Sequence, residues 1–123
     1  MQIGIDIQDV ETIKRFLDTP KMARIFTARE IKYIEKKNSA PETVTGMWCA
    51  KEAFFKAVGE GVGINQLLDI EIKHTMAGAP YYQLTSSLIS KHLLSTSKLA
   101  LSISHTKTTA VAVCIINRID QLI

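Results

Sequence analysis

Pro41-Glu-Thr-Val-Thr-Gly-Met-Trp-Cys-Ala-Lys-Glu-Ala-Phe-Phe-Lys-Ala-Val-Gly59 is the stretch on which the reading of this chain turns. A proline near its start and a glycine just past its end predict one long helix, from Pro41 to about Val58. Its apolar stripe is Val44, Met47, Trp48, Phe54, Phe55 and Val58, interrupted by Lys51. The block from Trp48 to Val58 is mostly apolar, yet it carries Lys51, Glu52 and Lys56. Charges in such a block are at least partly buried, and a buried charge needs a partner or a ligand.

Working outward, Thr27-Ala-Arg-Glu30 is a capping-box pattern that opens a helix ending near Lys37. Asn38-Ser-Ala-Pro41 links it to the long helix. Upstream, Met1, Ile3, Ile5 and Ile7 alternate with Gln2, Gly4 and Asp6, which predicts a short strand over 1–7. A helix follows from about Asp9 to Leu17, with Asp9 as its cap. Downstream, Gly59, Gly61 and Gly63 make a loop. Strands are expected at Leu68–Ile72, Tyr81–Leu84 and Leu99–Ser104, with a helix at Ser86–Thr96. Thr109–Ile116 is apolar on both faces and reads as a central strand. The whole is one α+β domain over residues 1–123, with an antiparallel C-terminal hairpin.

Length and composition agree. A chain of 123 residues with 46% hydrophobic residues, six glycines and three prolines builds one core without metal or disulfide. Disorder, collagen and low complexity are excluded. The longest apolar run, Ala110–Ile116, is far short of a membrane span, and the first ten residues do not read as a secretory signal. Cys49 and Cys114 sit in apolar segments as small core residues, which fits a reducing, cytoplasmic setting. Net charge is +3, but residues 14–37 hold eight bases and three acids. Two readings fit this basic stretch: a solvated helical face, or a docking patch for an acidic partner. A nucleic-acid partner does not fit, because no recognition motif is present.

Several residues could carry chemistry. Asp6 lies on the non-apolar face of its strand beside Gly4, and a strand glycine admits a ligand or another backbone. It is either a strand-end cap or a functional carboxylate. Glu52 and Lys56 share a helix face, which is either an ordinary surface pair or a site. His105, at a strand end before Thr106 and Lys107, is either incidental or faces a phosphate. Asp6 and Glu52 are hard oxygen donors of the kind magnesium takes, with water and phosphate completing its shell. The glycines at 59, 61 and 63 follow a helix, so they are not a nucleotide phosphate loop. No His/Cys spacing suits zinc.

Gly4-Ile-Asp6-Ile, then Ala50-Lys-Glu-Ala-Phe-Phe-Lys56-Ala-Val-Gly59-Glu-Gly61, then Ser102-Ile-Ser-His105-Thr-Lys107, in that order and spacing, resemble the holo-(acyl-carrier-protein) synthases. These are small bacterial 4′-phosphopantetheinyl transferases. The resemblance spans essentially the whole chain, and its specific part is the Trp-x-x-Lys-Glu-Ala-x-x-Lys block. It implies an α+β fold with an antiparallel sheet, assembled as a homotrimer with sites between subunits. It implies transfer of 4′-phosphopantetheine from coenzyme A to a serine of apo-acyl carrier protein, in fatty acid biosynthesis, releasing adenosine 3′,5′-bisphosphate. By the same resemblance Asp6 and Glu52 bind magnesium, and Lys56 and His105 act on phosphate. Glu52 is the candidate base, directly or through a metal-bound water. Coenzyme A contacts Lys56, Gly59, Gly61, Pro80, His105 and Thr106. Lys14, Arg15, Lys21 and Arg24 dock the acidic carrier.

Two departures stand out. Thr12 occupies a place where the family often has arginine, with Arg15 one turn later. Gly78-Ala79-Pro80 replaces a Gly-Lys-Pro turn. Two other functions remain open on the residues alone: a non-catalytic adaptor binding an acidic protein through residues 14–37, and another magnesium-dependent phosphoryl transferase.

Overall fold

In the computed structural model, which describes residues 1–17, 20–60 and 64–118, the order of elements follows the sequence closely. It runs β1 (Gln2–Asp9), α1 (Val10–Phe16), α2 (Met22–Ile25), α3 (Ala28–Lys36) and α4 (Pro41–Ala57). A 3-10 turn (Ile64–Asp69) leads to β2 (Ile70–His74), β3 (Pro80–Leu84), α5 (Ser86–Lys91), β4 (Ser97–His105) and β5 (Thr109–Arg118). Two antiparallel sheets result, one in the order β1-β5-β4 and the other the β2-β3 hairpin. Thr109–Ile116 is the central strand, as its two-sided apolar pattern predicts.

α4 lies across the three-stranded sheet and is the axis of the core. Cys49, Ala50, Ala53, Phe54 and Phe55 are fully buried on it. Its pairing with β1 is unusually close. A Cβ on Gly4 would stand 1.9 Å from the carbonyl oxygen of Ala53, so the strand glycine exists for another backbone, that of α4. Gly46 similarly admits Ile103, whose Cγ2 would stand 2.8 Å from an added Cβ. Tyr82 of the hairpin donates its hydroxyl to Ala50 O at 2.6 Å, tying the second sheet to the same helix.

The pleat of β1 has a consequence the alternation alone does not reveal. Gly4 and Asp6 face the core, while Ile3, Ile5 and Ile7 are 61%, 57% and 65% exposed. Close approach of α4 requires the small residue inside, so the apolar face is turned outward. Cross-strand partners Ile115, Val113 and Val111 lie opposite those isoleucines and are only half-buried. The sheet therefore presents an apolar outer face.

Lys51, the interruption in the apolar stripe, is buried and fully hydrogen-bonded. Its Nζ donates to Ile25 O at 2.6 Å, Glu30 Oε1 at 2.7 Å and Leu67 O at 2.9 Å. Glu30 in turn accepts from the backbone N–H of Thr27 at 2.9 Å and of Ile72 at 2.8 Å. The predicted capping box of α3 is present, with Thr27 Oγ1 accepting from Glu30 N–H at 3.2 Å. One pair of charges thus joins α4, α2, α3, the 3-10 turn and β2. Burial is the main influence on both members, raising the Glu30 carboxyl and lowering the Lys51 ammonium from their ordinary values. The three acceptors around Nζ satisfy all the donors an ammonium has.

Two boundaries and one short element depart from expectation. The strand expected at Leu68–Ile72 begins at Ile70, because residues up to Asp69 wind as a 3-10 turn that supplies Leu67 O to Lys51. The helix expected over Ser86–Thr96 stops at Lys91, and Leu93 takes a positive φ of 56° so that Leu94 turns inward. The short α2 was not anticipated; four residues are too few to show helical periodicity.

Candidate active site

Asp6 and Lys56 meet where β1 crosses the C-terminal half of α4, and Glu52 lies near enough for both charges to act on it. The strand pleat aims Asp6 inward, leaving it 4% exposed. Glu52 and Lys56, one helical turn apart, share the flank of α4 beside it. Lys56 Nζ donates to Asp6 Oδ1 at 2.9 Å, from a side chain that is 52% exposed. That hydrogen bond raises the Lys56 pKa above its ordinary value and keeps the ammonium charged. Glu52 is half-buried; burial first, and repulsion from Asp6 second, raise its carboxyl, against the pull of Lys56. Glu52 and Lys56 are thus both under the influence of Asp6.

Cys49 lies directly beneath. Its buried thiol donates to Ala110 O at 3.5 Å and is pushed up to about 12, by burial and then by Asp6. Cys114, also buried, is raised to about 11 by burial. Both are core thiols, as expected, and neither supplies a thiolate near neutral pH.

The donor set fits a small hard dication. Asp6 repels the Glu52 carboxylate and Lys56 only partly offsets it, so ionising Glu52 carries a charge cost that a divalent cation would offset. Among the described residues no third His, Cys, Asp or Glu joins them. The protein supplies two ligands, and water and a substrate phosphate are the natural source of the others.

His105 and Pro80 are elsewhere on the chain surface. With Tyr33, Thr43, Gly46, His74 and Gly78 they line a pocket of about 170 Å³ over the N-terminal half of α4. His105 ends β4, two strands across from Gln8 of β1, a backbone separation of about 10 Å. Within one chain, the pocket that His105 lines does not include Asp6, Glu52 or Lys56. Thr106 is occupied locally, its Oγ1 accepting from Thr108 N–H at 3.2 Å and Thr109 N–H at 3.1 Å to close the β4–β5 turn. Gly59 caps α4 with a φ of 79°, a turn conformation natural to glycine. Gly61 lies outside the described residues.

Sequence reasoning missed a second basic feature. Arg29, Lys36, Lys37 and Lys73 border a groove of about 500 Å³ that shares Tyr33, His74 and Gly78 with the His105 pocket. Tyr33 and His74 stack there, ring centroids 3.9 Å apart. Burial, and then Lys37, lower the His74 pKa. The only signal in the sequence was the excess of bases up to Lys37, read as one patch. The fold divides it in two. Lys14, Arg15, Lys21 and Arg24 are exposed together on α1 and α2, beside a mainly apolar cleft of about 230 Å³ lined by Ile13, Leu17, Met22 and Val44. Arg15 pairs with Glu11 at 3.5 Å in solvent, while Thr12 donates its backbone N–H and its hydroxyl to Asp9 Oδ2 in the cap of α1.

Comparison with known proteins points one way. The 4′-phosphopantetheinyl transferase superfamily matches residues 2–114. The holo-[acyl-carrier-protein] synthase of Clostridium tetani is 38% identical over 117 residues, covering 93% of each chain. That of Finegoldia magna is 38% identical over 117 residues, covering 94% of this chain and 95% of its own. Among solved structures, the Bacillus anthracis holo-(acyl-carrier-protein) synthase in complex with coenzyme A (3′,5′-ADP) superposes with a TM-score of 0.79 at 34% identity, covering 94% of this chain and 95% of that one. The Helicobacter pylori holo-[acyl-carrier-protein] synthase in complex with coenzyme A gives a TM-score of 0.79 at 29% identity, covering 94% of this chain and 99% of that one.

Proposed function

The chain belongs to the 4′-phosphopantetheinyl transferase superfamily, and from that premise we propose that it transfers 4′-phosphopantetheine from coenzyme A to a serine of an acyl carrier protein. The observation that carries this reading is the meeting of Asp6 and Lys56, with Glu52 under both charges, at the one place where a strand glycine lets β1 close on α4.

The serine oxygen bonds to the pantetheine-side phosphorus, the pyrophosphate P–O bond breaks, and adenosine 3′,5′-bisphosphate leaves. Glu52 is the proposed acceptor of the serine proton, directly or through a bound water. Lys56, charged and half exposed, reaches from Asp6 to the departing phosphate oxygen and offsets its negative charge. Asp6 and Glu52 are the residues that would hold magnesium, whose chemistry is to neutralise charge on the pyrophosphate. The bases around the Tyr33–His74 groove offer positive charge in place of the lysine replaced by Ala79. Acidic carrier docks on Lys14, Arg15, Lys21 and Arg24, where charge complementarity speeds encounter. Fatty acid biosynthesis is the setting that such a carrier implies.

The proposed assembly is a homotrimer. Its support is twofold: the exposed isoleucines of β1 form an apolar face, and the pocket that His105 and Pro80 line does not include the carboxylates. In the proposed trimer the His105 pocket of one copy completes the Asp6–Glu52 site of a neighbour. No helix among the described residues is long and apolar enough to cross a membrane.

The test is direct. Mixed with apo-carrier, coenzyme A and magnesium, the protein should add one phosphopantetheine to the carrier, seen by mass spectrometry. Glu52→Gln and chelator should each abolish the adduct, and higher salt should slow its formation. Absence of the adduct with active substrates, or its persistence in Glu52→Gln, refutes the reading.

A further inference from the structure

We propose that Gln8 is a positioning residue that holds the Asp6 carboxylate in the orientation from which it meets a divalent cation; the proposal rests on the metal reading given above. Gln8 follows Asp6 by two residues on β1, so the pleat puts both side chains on the face toward α4. Its neighbours across the strand are small: Ala110 stands opposite Gln8 and Ala112 opposite Asp6. The amide therefore has room to lie along the strand. Its Nε2 donates to Asp6 Oδ2 at 3.1 Å and approaches Oδ1 at 3.4 Å. A carboxylate only accepts hydrogen bonds, so it is the NH₂ end of the amide, not its carbonyl, that faces Asp6.

Asp6 also accepts from Lys56 Nζ on Oδ1 at 2.9 Å, and the buried Cys49 thiol lies against the same carboxylate. The two donors differ in what they can do next. The Lys56 side chain is 52% exposed on a flexible stem, free to follow a phosphate. Gln8 is half-buried on a strand held on its β5 side by a continuous ladder. When Lys56 turns to substrate, Gln8 remains and keeps the carboxylate plane fixed. Two donors use only part of a carboxylate's roughly four lone-pair directions, leaving others for a cation. Hydrogen bonds behind a metal-binding carboxylate typically set metal affinity by about 10–100-fold.

Binding of Mn2+ to the substrate-free protein, read by loss of the free-ion electron paramagnetic resonance signal, tests this apart from activity. Gln8→Met keeps the length of the side chain and removes its donor. It should weaken Mn2+ binding about 10-fold or more, raise the metal concentration for half-maximal transfer by the same factor, and leave the KM for carrier unchanged. Gln8→Ser, too short to reach Asp6, should do the same and serves if the Met variant does not fold, as judged by its melting curve. Wild-type Mn2+ affinity in a folded Gln8 variant overturns the role of Gln8 alone. Mn2+ binding that survives Asp6→Asn overturns the metal reading and this proposal with it.

Discussion

Glu52 is a carboxyl kept in a place that suits it poorly. Burial and the Asp6 charge raise its pKa above the ordinary 4.5, so the ionised form costs folding free energy near neutral pH. A raised carboxyl contributes its stability below the ordinary pKa and loses it as pH rises through the folded value. Glu52→Gln should therefore raise the melting temperature of metal-free protein by about 1–2 °C at pH 8, discounted for partial exposure, and by nothing at pH 4. Differential scanning fluorimetry at the two pH values checks it; an equal or lower melting point at pH 8 would show that the residue is not strained by charge. Stability gained where activity is lost is the usual mark of a functional side chain. The sequence named Glu52, Asp6 and Lys56 from residue type and family pattern. It could not show that Asp6 is buried or that Lys56 bonds it, because those facts depend on which face of β1 turns inward.

At the scale of elements, the buried Lys51–Glu30 pair is what fastens α4 to its surroundings. Both halves left a trace in the sequence: Glu30 as the last member of a capping box, Lys51 as a charge inside an apolar stripe. Their partnership did not, since 21 residues separate them and no spacing rule joins them. Lys51→Met should cost about 3–5 kcal/mol, because it leaves Glu30 buried without its counter-charge. Burial already raises Glu30, and losing Lys51 raises it further. The penalty should therefore be smallest near pH 5, where the carboxyl can take a proton, and grow toward pH 8. Urea unfolding at both values measures this, and a penalty independent of pH would mean that lost packing, not charge, dominates. α5 and β2 show the other limit of local reading. Their apolar pattern continues past their ends, and only Leu93 turning over and the 3-10 turn supplying Leu67 O decide where they stop.

For the whole molecule, the decisive surface is the outer face of the β1-β5-β4 sheet. Ile3, Ile5 and Ile7 stand exposed beside the half-buried Val111, Val113 and Ile115. A contiguous apolar face of this kind marks an interaction site. The protein should run in light scattering as three copies of the 13.7 kDa chain. Ile5→Lys should give a folded monomer with little transfer activity, since it charges the face without touching the core. A wild-type protein that is monomeric, or an Ile5→Lys variant that keeps both size and activity, would remove the trimer from this account.

The sequence by itself determined the order of the strands and longer helices, the long helix with its proline and glycine ends, the capping box and the residue types of the site. All of these follow from periodicity, backbone chemistry and motif over short stretches of chain. Tertiary structure alone decided three things. It turned the apolar face of β1 outward, because only Gly4 allows the approach of α4. It gave Lys51 to Glu30, and it set His105 on the opposite edge of the sheet from the strand that carries Asp6. Each depends on contacts between residues distant in the chain, and a one-residue change in which side of a strand faces the core reverses the role of every side chain on it.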